Sequence, residues 1–261
     1  MLCWQKRVSY AWPDLLQFNG VHVTIVDLFP QFRQEDYLPT NATWSQLFDW
    51  LVTESFANGE RIRTYWYVIK MLDFFPYNLP NPDSILTSPK TLALSNTILS
   101  KHKPYKDELD RLNDTTRPPR MADMLREVRR RQVEMERRFN GWTQKQDGIA
   151  SGHRGIEFRR AGAMKCNLFE NSLGREKAVD VKLAADMIVL KDVYDVAVIV
   201  SGDQDYVPAV EVVKDAGKQV VNVAFLTRSG DLLPGGARRL NQITDWHCNI
   251  PFETFRQYLR I

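Results

Sequence analysis

Val200 is followed by Ser-Gly-Asp-Gln-Asp, which sets Asp203 and Asp205 two residues apart where an apolar run gives way to a helical pattern. One acid at a helix start is accounted for by capping, which contributes about 0.5–2 kcal/mol. Two carboxylates at i and i+2 beside a buried strand repel each other unless a cation lies between them, and hard oxygen donors suit magnesium or manganese. Metal binding and capping are thus the two readings of this pair. Ser201, just ahead of it, is placed to hydrogen-bond a ligand carboxylate. Two further acids join this chemistry if the fold brings them to the same edge: Asp27, which ends a β-branched run, and Asp180, early in a later helix. For Asp180 the helix macrodipole alone is an adequate structural reason, worth a few tenths to about 1 kcal/mol. Lys177, at the wrong end of that helix for the dipole, reads either as a phosphate contact or as a solvated lysine. Asp186 lies roughly 120° around the helix from Asp180, so a structural role is expected for it.

These residues need elements to carry them. Residues 21–27 read as a buried strand, 43–56 as an amphipathic helix and 61–69 as an aromatic-rich strand, together a βαβ unit with parallel pairing. Seven of the thirteen prolines then fall between Phe75 and Pro119, which predicts irregular connection with short helical pieces near residues 91–100. A basic helix is expected over residues 120–139 and a flexible return over 141–155. Residues 156–163, 195–200 and 218–225 read as strands, with helices at 176–190 and 205–216 and closing helical material from Arg238. The sum is one α/β domain over residues 1–261, with a mainly parallel central sheet, helices on both faces, and a Pro-rich and basic-helical insertion at about 71–150. Ligands of such sheets bind beyond the carboxyl ends of the strands, where Asp27, Asp180 and the Ser201–Asp205 stretch are expected.

Composition narrows the functional classes. With 35 basic and 32 acidic residues the net charge is +3, so attraction to nucleic acid has to come from local patches. Arg117 to Arg138 is such a patch, with eight arginines against Asp123, Glu127, Glu134 and Glu136. It is read either as a solvated face or as an arm for RNA, a protein partner or a second copy. Cys3, Cys166 and Cys248 are scattered and odd in number, and the four histidines are equally dispersed, which argues against a disulfide framework or a zinc centre. No apolar run approaches the roughly 20 residues of a membrane helix, and the first residues lack a signal-peptide core. A cytoplasmic protein with no membrane association is expected. An aspartyl-phosphate phosphatase would carry its Asp-x-Asp after the first strand, whereas here the pair follows a late one.

Residues 176–188 (EKAVDVKLAADMI) and 198–220 (VIVSGDQDYVPAVEVVKDAGKQV) resemble the NYN domain, the LabA-like branch of the PIN-like nuclease superfamily; residues 61–68 and 155–174 also fit. The resemblance implies a PIN-like three-layer sandwich and a magnesium- or manganese-dependent ribonuclease favouring single-stranded RNA. Residue by residue it implies that Asp27, Asp180, Asp203 and Asp205 hold the metal and carry catalysis. Where the family's first strand continues Asp-Gly-x-Asn, this chain runs Asp27-Leu28-Phe29-Pro30. That departure keeps a second class open, a catalytically weak or inactive NYN-fold regulator that binds RNA or protein. Arg159, Arg160, Lys165 and Lys177 are the candidate phosphate contacts. If residues 156–163 form a strand, Arg159 and Arg160 point to opposite faces, and at most one reaches the site. Tyr206 is read as a base-stacking ring or as core.

Overall fold

A computed structural model describes residues 5–11, 41–56, 59–76, 78–170, 172–201, 203–226 and 237–259. The expected strand at 21–27, and with it Asp27, lies outside the described residues. Seven strands, β1 (Gln5–Ala11), β2 (Glu60–Phe75), β3 (Ile156–Asn167), β4 (Ser172–Lys177), β5 (Val196–Val200), β6 (Gln219–Phe225) and β7 (Trp246–Ile250), are hydrogen-bonded in the order β4–β3–β2–β1–β5–β6–β7. β1 pairs in parallel with both β2 and β5, β5 with β6, and β6 with β7. The register aligns Tyr10 with Val200, and Val200 with Val223, so these strands share one carboxyl edge. The molecule is therefore mixed α/β with parallel strands. β5 is buried along its whole length, as a continuous apolar run in a parallel sheet requires. β1 was not expected: Gln-Lys-Arg-Val-Ser-Tyr-Ala contains two adjacent cations and no apolar run, and its neighbours β2 and β5 define it.

The described α-helices are α1 (Trp44–Ser55), α2 (Pro89–Leu99), α3 (Lys103–Leu109), α4 (Arg117–Gly152), α5 (Val179–Val189), α6 (Val207–Asp215), α7 (Ala237–Ile243) and α8 (Phe252–Leu259). The chain separates into two compact units. The first holds residues 1–71, 142–163 and 176–261, the second residues 72–141 and 164–175. In the first, Trp44 and Phe48 of α1 meet Trp66 edge-on at 5.0 and 5.8 Å, and Trp66 stacks on Phe158 at 4.8 Å. Val196 to Val200, Leu183, Met187, Val210 and Val213 extend that core. In the second, Met121, Met124, Leu125 and Val128 of α4 pack with Ile85, Leu99, Tyr105, Leu109, Leu168 and Phe169. Most of the stretch expected as an insertion belongs to this second unit.

Residues 141–155 are no flexible return, because α4 continues to Gly152. A helical glycine costs about 1 kcal/mol relative to alanine, but Trp142 and Ile149 are both buried, and burying two such side chains outweighs it. The closing segment also differs from expectation, since Trp246–Ile250 forms an edge strand between two short helices.

Candidate active site at the carboxyl edge

The stretch after β5 is organised by its own side chains. Ser201 is buried, and its Oγ accepts a hydrogen bond from the Asp203 backbone N–H at 3.0 Å. Asp203 Oδ1 in turn accepts from the Asp205 N–H at 2.8 Å, capping a single 3-10 turn over Gln204–Tyr206 that leads into α6. Ser201 thus acts on the backbone. Asp203 performs the capping that its residue type predicts, and this does not exhaust it. Burial pushes its carboxyl above the ordinary value; the Asp205 N–H opposes this, and the negative charges of Asp180 and Asp205 add to it.

Asp180 enters from α5. The expected helix start near Glu176 moves to Val179, because Glu176 and Lys177 end β4. Between them Ala178 sits in the left-handed region at φ 77° and supplies no side-chain cap. Asp180 falls in the first turn, and the hydroxyl of Tyr206 donates to its carboxylate. Tyr206 is fully buried, so it is no base-stacking ring; it is a core residue that ties Asp180 to the turn carrying Asp203 and Asp205. A tyrosine one residue past an Asp-x-Asp gives no hint of this in sequence.

The charges of Asp180 and Asp205 therefore both bear on Asp203 at the carboxyl edge. Burial first, and these like charges after it, raise the pKa of Asp203, and clustered hard oxygen donors are the donor chemistry a divalent cation takes. Yet among the described residues no group of three or more Asp, Glu, His or Cys side chains is arranged to hold a metal ion. The set fits the ion in chemistry, and in this conformation is not gathered into a coordination sphere.

The candidate phosphate contacts divide. Arg159 lies over the Tyr65 ring at 3.8 Å, is hydrogen-bonded to Asp186, and reaches Glu157 at 3.1 Å. Arg160 turns instead to Asp147 at 2.5 Å and Gln146 at 3.2 Å. The two do point apart, and each has carboxylate partners of its own. Lys165 and Lys177 are exposed and make no ion pair with a described residue. Asp186 has the structural role expected of it. It is buried and takes Lys182 at 2.6 Å, the Tyr67 hydroxyl at 3.1 Å, and Arg159. Burial opposes its charge, but the hydrogen bonds from Lys182 and Arg159 win and hold its pKa below 3.8. The Lys182–Asp186 spacing of four was the sequence signal for this cluster; Tyr67, inside an apolar strand, gave none.

A parallel sheet with acids at the carboxyl edge, one of them handed over from a neighbouring helix, defines the class of α/β protein to which this chain belongs. Residues 117–233 match the profile of the NYN domain family, and the chain carries an NYN domain over that span. The span begins at α4 and takes in Asp180, Asp203 and Asp205. No curated protein and no solved structure matches the chain. Among the described residues no helix is long and apolar enough to cross a membrane.

Proposed function

We propose that this protein is a metal-dependent endoribonuclease that hydrolyses single-stranded RNA in the cytoplasm, with Asp180, Asp203 and Asp205, joined by Asp27, holding magnesium or manganese. The observation that carries this is the turn after β5 that bears Asp203 and Asp205, with Asp180 tied to it by the Tyr206 hydroxyl, at the carboxyl edge of a parallel sheet. The PIN-like three-layer arrangement, helices covering both faces of the sheet, is part of the same reading, as is a single NYN/PIN-like domain with an insertion.

The bound cation supplies Lewis acidity for in-line attack at phosphorus. The chain's own residues do the rest. Ser201 and the Asp205 N–H fix the backbone and the Asp203 carboxylate, so its orientation is set before any ligand arrives. Tyr206 does the same for Asp180. Lys177 provides exposed positive charge for phosphates, whereas Arg159 serves Asp186 and helps hold α5, which carries Asp180.

The test is cleavage of an end-labelled single-stranded RNA with manganese or magnesium, with and without EDTA. Wild-type protein is expected to cut slowly and only with metal, and Asp203→Asn to lose cleavage. Asparagine caps about as well as aspartate, and the substitution removes a like charge, so the melting temperature of the metal-free variant should be equal or higher. Cleavage by both proteins alike, or cleavage indifferent to EDTA, removes the mechanism. The departure at Leu28 to Pro30 favours the second reading, an NYN-fold binding regulator; RNA bound and never cut would establish it.

A further inference from the structure

The second unit contains a feature that the carboxyl-edge site does not use. Phe74 and Phe75 end β2, and strand alternation sends them to opposite sides. Phe74 packs against the core of the unit, while Phe75 is 49% exposed. The Phe75 ring meets His102 edge-on at 6.3 Å, and His102 stacks on Phe169 at 4.1 Å with 21° between the planes. Phe169 meets Tyr105 at 5.5 Å, and the Tyr105 hydroxyl accepts from Arg131 at 3.0 Å. An exposed ring is thus backed by a ladder of rings that ends in the core. Lysines lie on the segments that carry the ladder. Lys101 and Lys103 flank His102, with Lys101 close enough for its charge to act on that ring. Lys165 projects from β3, whose end is tied to β2 by the Leu168 N–H to Phe75 carbonyl bond at 3.1 Å. All three lysines are exposed and form no ion pair with a described residue. Among the described residues, Glu170 is an acid whose charge acts on His102. The unit as a whole carries fifteen basic and eleven acidic residues, against twenty and twenty-one in the rest of the chain.

We infer that this surface of the second unit is a binding subsite for single-stranded RNA, on which one base stacks against Phe75 and the flanking phosphates meet Lys101, Lys103 and Lys165. Stacking needs an accessible π-face backed by packed rings, which the ladder supplies; backbone affinity needs exposed cations, which the lysines supply. A buried contact for another protein would require neither three exposed lysines nor a net positive unit. The inference rests on the reading of the protein as an RNA-handling enzyme, but it concerns binding alone.

The experiment measures the Kd of a fluorescent oligouridylate of about 12 nucleotides by anisotropy in EDTA, so that nothing is cut. A duplex RNA of the same length serves as the second ligand. Phe75 is exposed, so Phe75→Ala leaves the core untouched. It is expected to weaken single-strand binding by about tenfold or more and duplex binding little, while Phe75→Trp retains binding. Lys101→Gln with Lys103→Gln should flatten the slope of log affinity against log salt by about 1.4. Single-strand affinity of Phe75→Ala within about twofold of wild type, against the tenfold a stacked base predicts, overturns the subsite and leaves the aspartate reading intact. So does an equal loss on duplex RNA, or the loss of a protein dimer at unchanged RNA affinity, which would make the ring a protein contact. Wild-type protein that binds no RNA overturns this inference and the ribonuclease reading together.

Discussion

Asp180 and Asp186 share one helix and do opposite jobs. Asp186 gathers cations: Arg159, Lys182 and the Tyr67 hydroxyl surround a buried carboxylate, so its charge is matched. Asp180 adds its charge to that of Asp203. Removing Asp186 should therefore damage stability, and neutralising Asp203 should not. Asp186→Asn is expected to lower unfolding stability by about 3 kcal/mol, at the low end for breaking a buried pair. The cost stays low because Lys182 is half solvated and Arg159 keeps Glu157 and Tyr65. Urea denaturation checks this; a change below about 1 kcal/mol, the scale of an exposed pair, would show that the cluster is ornamental. The pH dependence has a definite sign. Asp186 titrates below 3.8 in the folded chain, so its contribution is fully present above the unfolded value of about 3.9 and is lost as pH falls through the folded pKa. The wild-type and Asp186→Asn stabilities should converge only in that acid range.

At the scale of elements, α4 and the β3–β4 approach make contrary demands on glycine. Gly148 lies inside α4, and a methyl group added there meets nothing within 4 Å. Gly148→Ala should then stabilise the protein by about 0.5–1 kcal/mol, read as a raised denaturation midpoint; no gain would mean that this stretch is not helical in solution. Gly162 is the reverse case. Its φ is +60°, and an added Cβ would stand 1.7 Å from the Lys177 carbonyl oxygen. Because Lys177 precedes the left-handed Ala178 that turns the chain into α5, Gly162→Ala should cost at least about 1–3 kcal/mol. Part of this was legible in the sequence. The apolar run 195–200, the helix after Asp205 and the buried face of residues 44–52 have the periodicities of their elements, and burial enforces them. The extension of α4 was hidden because three glycines between 141 and 152 outvote two anchors, Trp142 and Ile149, that matter only once packed. β1 was hidden because Lys6 and Arg7 mask a strand that two neighbours hold in register.

For the whole molecule, the near balance of charge conceals an uneven distribution, with the excess positive charge in residues 72–141 and 164–175. Of the candidate site, Asp180, Asp203 and Asp205 could be read from their places at element junctions, since helix starts after parallel strands are where ligands bind. The hydroxyl of Tyr206, which links α5 to the turn after β5, could not, because that contact belongs to the tertiary structure alone. The central claim is that these acids form a site for a divalent cation, and manganese uptake measures it directly. Titrating the metal-free protein with manganese, and following the free ion by its electron paramagnetic resonance signal, should give binding by the wild type. Affinity should fall by at least about tenfold in Asp203→Asn, since even residues that only support a metal ligand cost 10–100-fold. Asp186→Asn should bind as the wild type does. Uptake by Asp203→Asn equal to that of the wild type, or no uptake by the wild type, would contradict the account.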